Sequence, residues 1–267
     1  MKIVKWILVS LLVLFIAFPF YWVIISSFKT PDQILQPDLW PKEWTLENYQ
    51  MLLTETPYLN NLKNSIIVSF GTMIITTIIV VPASYAFYRL NFKGKQFFYY
   101  LILATFIFPT MLLLVPVYQL MNSVNLIDNI WSLIIINVTF AAPFATWLMS
   151  GFFKDIPESL DESAAIDGAG KIRILFQIIL PLIVPGLTTI AVYAFVVSWT
   201  EFAFSSVLIS SEANQVLTIG MNQIMGQYTI RWGWTTAGAV LTLLPVLIFF
   251  AFVGRYFIKG LTEGSVK

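Results

Sequence analysis

The chain has 267 residues, 58% of them hydrophobic and 11% charged, with a formal net charge of +1; an average soluble domain is roughly a quarter charged. That composition excludes an ordinary soluble globular protein, and nothing in it points to a nucleic-acid partner. With no histidine and no cysteine, and no G-x-x-x-x-G-K-[ST] loop, the chain is expected to catalyse no covalent reaction and to hold no metal or cofactor of its own.

Uncharged intervals run from Lys5 to Lys29, Lys63 to Arg89, Lys95 to Asp128, Asp128 to Lys154, Arg173 to Glu201 and Arg231 to Arg255. Each exceeds the roughly 20 residues that cross a hydrocarbon core as helix. The runs are continuously apolar rather than alternating, which selects helices over barrel strands. The expectation is one all-α polytopic membrane domain over 1–267, with six transmembrane helices near 6–28, 64–88, 97–120, 131–152, 180–206 and 234–256.

The first run is too long for the apolar core of a cleaved signal peptide and lacks a small-residue cleavage site, so it reads as a retained span. If the N-terminus is inside, the cytoplasmic segments hold eleven Lys and Arg residues. The outer ones hold four, Lys29, Lys42, Lys63 and Arg231. This bias predicts N-in and C-in, outer loops at 29–63 and 207–233, and a cytoplasmic loop at 153–179.

In the first outer loop Pro31, Pro37, Pro41 and Pro57 break up any long helix, and "TLENYQ" (Thr45 to Gln50) starts a short one capped by Thr45. Pro109 and Pro116 interrupt the third run, and Pro143 and Pro245 the fourth and sixth. Each removes a helix hydrogen bond and kinks the chain, which membrane helices tolerate.

The cytoplasmic loop carries a charged, hinged block. Asp155 is a good N-cap, Pro157 suits a first turn, and Glu158 completes a capping box, so a helix is expected to begin at "DIPESLDESAA". Ile156, Leu160 and Ala164 share one face, and Glu158, Asp161 and Glu162 another. Asp167-Gly168 and Gly170 stop the helix, with a positive φ at the bend. A second helix follows, with Ile172, Leu175, Phe176 and Ile179 at helical spacing, and enters the membrane at Pro181. By itself the block is either a solvated connection or a knob for a cytoplasmic partner.

Glu201 is the one charge inside a span. A central carboxylate costs roughly 2.5 to 3.5 kcal/mol on insertion scales, so it faces a cavity or a partner. It reads equally as a structural hydrogen-bonding group or as a pathway lining, and the proton site of a secondary transporter is the rival reading. Trp199 beside it either stacks on a sugar ring or anchors at the interface; Trp232 and Trp234 read as anchors. A scaffold or receptor subunit using the same knob would need no polar cavity.

Glu162, Ala164, Gly168, Ile178, Leu180 and Pro181 match six of the seven fixed positions of the pattern E-A-A-x(3)-G-x(9)-I-x-L-P. Here the chain resembles the permease subunits of binding-protein-dependent ATP-binding-cassette (ABC) importers. Ser163 stands where the family has an alanine. "TLENY" at Thr45, "NS" at Asn64, "SYAFYRLNFKGK" at Ser84, "SWTEF" at Ser198 and "RYFIKGLTEGSVK" at Arg255 look like the sugar-importing branch, in particular the smaller, maltose-permease-type partner. Thr200 and Ser265 depart from its usual asparagine and alanine.

The resemblance implies a type I ABC importer permease fold in a bacterial plasma membrane. It implies a second, different permease, two ATPase subunits that bind ATP and Mg, an external solute-binding protein and a sugar substrate. It makes Glu162, Ser163, Ala164, Ala165, Asp167 and Gly168 the ATPase-coupling residues, with Gly168 at the bend. Trp199 and Glu201 are its pathway candidates. Asn222, Gly226, Gln227 and Tyr228 correspond to a loop that reaches into the binding protein, and otherwise form an ordinary tether.

Overall fold

The computed structural model describes residues 2–226 and 230–263. The regular elements are α1 (Lys2–Ser27), α2 (Glu47–Glu55), α3 (Tyr58–Arg89), α4 (Lys95–Ile107), α5 (Leu114–Ser123), α6 (Ile130–Lys154), α7 (Glu158–Ile166), α8 (Lys171–Leu182), α9 (Val184–Trp199), α10 (Ala203–Leu208), α11 (Leu217–Met225) and α12 (Trp232–Glu263). Among the described residues the strand-like pairing is a single antiparallel bridge, Lys29 to Trp44.

Four stretches are long and apolar enough to cross a membrane: Val4–Ser27, Tyr58–Arg89, Ile130–Lys154 and Trp232–Gly254. Two bent pairs raise the number to six if each is one span: α4 with Thr110–Ser123, bent by 94°, and α8 with α9, bent by 84°. Leu8, Leu12 and Phe15 of α1 are all exposed. A helix that exposes such residues is stable only against lipid or a partner helix.

Helix placement differs from the sequence expectation at these two bends. The run expected to cross at 97–120 breaks at Phe108 and Pro109, both extended. A residue before proline is pushed out of the helical region, and proline supplies no N–H to resume the ladder. Pro116 instead lies in the first turn of α5, where the missing donor costs little. The run expected over 180–206 turns at Ile183, just before Pro185, and its helix stops at Trp199. Pro143 and Pro245 sit inside the continuous helices α6 and α12.

The chain divides into two compact units, 1–63 with 215–248 and 64–214 with 249–267. In the first unit Lys29 is fully buried. Its ammonium donates to the carbonyls of Gln36 (3.0 Å) and Asp38 (2.7 Å) and lies 4.5 Å from the Trp22 ring centre. Buried Asn48 donates to the carbonyls of Ser27 (2.9 Å) and Lys29 (2.8 Å). Its side chain lies so close to Gly233 that no other residue fits there without a shift. Glu47 N–H donates to Thr45 Oγ1 (3.0 Å), so Thr45 serves the start of α2 although Leu46 holds the cap position.

The second unit centres on α6, whose inner face carries the buried Leu133, Ala141, Ala145, Met149 and Phe153. α9 packs along it, and Asn137 donates to Ser198 Oγ (3.1 Å) between them. One apolar cluster joins Val81 and Tyr85 of α3, Met149 and Phe153 of α6, Ala164 of α7 and Ile174, Leu175 and Ile179 of α8. The charged block around α7 therefore shares its core with the long apolar helices.

Candidate functional site

The block begins where α6 ends. Asp155 is helical (φ −77°, ψ −9°) and closes α6 rather than opening α7. The position before α7 is Pro157 (φ −59°, ψ 135°), and no side chain caps the helix. This corrects the expected capping box: the letters are right for a cap, but the chain is still in the preceding helix. Leu160 N–H takes the carbonyl of Pro157 (3.3 Å).

The far end follows the sequence expectation. Gly168 has φ +80°. Its N–H donates to the Ala165 carbonyl (3.1 Å), and the Ala169 N–H to that of Ala164 (2.9 Å). These are the paired bonds of a Schellman turn, in which a left-handed residue ends a helix and satisfies its last carbonyls. Ala164 and Ala169 belong to the same apolar cluster, as that turn requires.

α8 then contains a six-residue π-helical turn, Ile174–Ile179, spanning much of the motif's long spacer. Because that turn holds an extra residue, the expected apolar stripe divides. Ile174, Leu175 and Ile179 are buried, while Ile172 and Phe176 are exposed. On α7, Ala164 is buried, and Glu162, Ser163, Ala165, Asp167 and Gly168 lie on the surface. Ile166 among them is 86% exposed.

Arg89, the last residue of α3, holds this helix in place. Its side chain is 3% exposed, with Nη1 3.4 Å from Glu158 Oε1 and Nε 3.4 Å from Asp161 Oδ2. Its Nη2 donates to the Ile156 carbonyl at 2.5 Å. Asp161 is 16% exposed, and its Oδ1 makes no hydrogen bond. Burial pushes the Asp161 carboxyl above its ordinary value, and the Arg89 guanidinium pulls it back only in part. The sequence marks Arg89 only as a cytoplasmic positive charge; its partners lie far along the chain and leave no local pattern.

Glu201 lies in the gap between α9 and α10. Its carboxylate accepts from the N–H of Phe204 (2.7 Å) and of Ser205 (2.9 Å) and from Ser205 Oγ (2.7 Å). It thus caps α10 and also borders a cavity of about 220 Å³ with Thr110, Asn137, Thr139 and Tyr193. In this geometry the carboxylate is at once a hydrogen-bonding group and part of the wall of that cavity. Trp199 is 7% exposed and stacks on Phe195 (5.4 Å, 16°). Phe195 stacks in turn on Phe249 (4.4 Å), so within this chain the Trp199 ring is packing.

Of the outer-loop candidates, Asn222 is exposed on α11 and Gly226 ends that helix with φ +60°. Gln227 and Tyr228 lie outside the described residues. Elsewhere on this unit's surface Arg231 covers the Trp234 ring at 4.1 Å. At the second unit's outer turn Asp128 Oδ1 accepts from the N–H groups of Ser211 (2.9 Å) and Ser210 (3.1 Å), and Asn214 Nδ2 donates to the Asp128 carbonyl (2.6 Å). The Ser211 amide, with help from Ser210, holds the Asp128 carboxyl below its ordinary value.

Among the described residues the chain is helical and multi-pass, with a Schellman-bounded knob between two of its candidate spans. The fold aligns with a chain of a bacterial ABC transporter involved in the import of the acidic polysaccharide alginate, at TM-score 0.82 and 22% identity over 96% of both chains. Residues 78–263 match the family of binding-protein-dependent transport system inner membrane components. Among similar proteins are the inner membrane ABC transporter permease protein YcjP of Escherichia coli (32% identical, 97% of this chain and 94% of the relative) and the sulfoquinovosyl glycerol transport system permease protein SmoH of Agrobacterium fabrum (32%, 100% and 94%). The maltodextrin transport system permease protein MdxG of Bacillus subtilis is 31% identical over 100% of this chain and 96% of its own. The chain belongs to this family.

Proposed function

We propose that the chain is one permease subunit of an ATP-driven importer of sugars or oligosaccharides in a bacterial plasma membrane, oriented N-in and C-in. It works beside a second, different permease, with two ATPase subunits that bind ATP and Mg and an external solute-binding protein. The observation that carries this reading is the α7 knob, which presents Glu162, Ile166 and Gly168 outward while its other face is built into the core around Phe153 and Ile179. A push on α7 is passed to α3, α6 and α8 as to one packed body, since close-packed interiors transmit displacement.

The sugar assignment is supported by the maltodextrin and sulfoquinovosyl glycerol permeases among the relatives, and by a cavity at Glu201 that offers hydroxyl and amide groups. ATP hydrolysis belongs to the partner subunits, and this chain supplies half of the pathway. Closure of the ATPases moves the knobs and opens the pathway outward to receive sugar, and hydrolysis resets it inward. The test is ATPase activity of the complex purified through this chain, in lipid, with and without its binding protein loaded from a panel of sugars. Activity that co-purifies and rises with one loaded sugar is the expected result. Uptake by this chain alone down a proton gradient, with no ATPase, would overturn the reading in favour of a carrier centred on Glu201.

A further inference from the structure

A larger cavity, of about 990 Å³, opens where three helix ends meet: the last turn of α3 (Phe87), the turn into α4 (Phe92, Lys95), and the last turns of α6 (Trp147, Phe152, Lys154). It shares no residue with the cavity at Glu201. We propose that it holds the headgroup and upper chain carbons of an anionic phospholipid, with Lys95 and Lys154 on the phosphate and the aromatic rings against the glycerol and chains.

Position supports this first. Three membrane helices end at the cavity, so it lies at the boundary of the hydrocarbon core, where headgroups are. Its lining is cationic on balance, with Lys95 and Lys154 set against one carboxylate, Asp155. The Lys95 ammonium spends one donor on the Tyr88 carbonyl (3.2 Å), and an ammonium has three. Arg89 is committed to α7 and does not compete for a ligand. Basic pockets between membrane helices near the cytoplasmic surface recognise anionic headgroups in this manner.

The lining supports it next. Phe92 and Trp147 remain well exposed within the chain, an apolar wall for a ligand that is only half polar. The volume lies at the upper end of the roughly 300–1,000 Å³ typical of ligand sites, enough for a headgroup and the first chain carbons, with the tails running on into the bilayer. A partner transmembrane helix seated there would strip water from two ammonium groups without a matching charge, at considerable cost.

The experiment is native mass spectrometry of the complex purified through this chain, stripped of lipid and titrated with phosphatidylglycerol or phosphatidylcholine. Wild-type complex should retain one phosphatidylglycerol per copy of this chain, with phosphatidylcholine at least about 10-fold weaker. The double variant Lys95→Gln, Lys154→Gln should bind phosphatidylglycerol about 30-fold more weakly, as loss of two headgroup charge contacts implies. Gly151→Leu adds bulk at the cavity wall where a Cβ meets no atom within 4 Å, and should also lose the lipid with both lysines in place. Equal retention by wild type and the double variant would overturn the proposal, as would phosphatidylcholine bound as tightly as phosphatidylglycerol. So would efficient crosslinking of Gly151→Cys to the second permease in native membranes, since protein would then fill the space.

Discussion

The guanidinium of Arg89 reaches from the end of α3 to the carboxylate of Asp161 on α7, Nε to Oδ2 at 3.4 Å, and buries itself in doing so. A membrane helix is thereby bonded to α7 independently of the chain connection through α6. Arg89→Gln should leave Asp161 a largely buried charge without its cation, destabilising the purified complex by about 1–3 kcal/mol and lowering uptake per ATP hydrolysed. Burial already raises the Asp161 carboxyl and Arg89 opposes the rise, so the variant's carboxyl titrates higher still. Protonation then relieves the unpaired charge, and the stability deficit should shrink as pH falls through that raised value. Thermal melts at pH 7.5 and pH 5 check this; a deficit unchanged with pH would rule out the pair as its source.

Gly168 is constrained by its backbone, not by space. A Cβ there meets no atom within 4 Å, but φ is +80°, where an L-residue pays about 1–2 kcal/mol. Loss of coupling should therefore rank Gly168→Asn least, Gly168→Ala next and Gly168→Val most, in sugar transported per ATP hydrolysed. A ranking by side-chain volume alone, with asparagine worse than alanine, would point to a steric contact with the partner instead.

Ile166 is 86% exposed on α7, so Ile166→Glu removes nothing from the chain's own core. The stability of the chain without ATPase should stay within about 0.5 kcal/mol of wild type, as for a typical surface change. Co-purification of the ATPase subunits should fall sharply. Retention of both would show that the knob's apolar tip lies outside the joint.

Asp128 holds the outer turn to Ser210 and Ser211 through charge-favouring hydrogen bonds, and its carboxyl is lowered. A lowered acid contributes stability that is fully present above its unfolded value near 3.9 and is lost as pH falls through the folded value. Protection of the Ser210 and Ser211 amides, relative to their intrinsic exchange rates at each pH, should therefore be high at pH 6 and fall below about pH 4. Asp128→Asn should show the lower protection at pH 6 already and little further loss on acidification.

The sequence locates what is written locally. Gly168 declares its turn because a glycine just past a helical stripe, here four residues after Ala164, has one common use, and the apolar runs declare membrane helices because length alone decides the matter. It misleads where one residue serves either of two neighbours, as Asp155 does between α6 and α7. Hydropathy counts residues without direction, so the bends at Pro109 and Ile183 are hidden in runs of sufficient length. Arg89 and Lys29 appear in sequence as topology charges. Their structural work depends on Ile156, 67 positions away from Arg89, and on carbonyls of Gln36 and Asp38, which carry no side-chain signature. Glu201 was legible as an expensive charge, but its capping bonds appear only once α9 is seen to end at Trp199.

The π-helical turn at Ile174–Ile179 sets a phase as well as a length. In an α-helix each residue turns the chain by about 100°, so the extra residue accommodated here rotates the upstream half of α8, and α7 beyond it, by about that angle relative to α9. That rotation sends Ile172 and Phe176 outward while Ile174, Leu175 and Ile179 point in. The spacer between Gly168 and Ile178 is thus an angular specification: with one residue fewer, α7 would keep its length and its closing turn but lose its phase relative to α9.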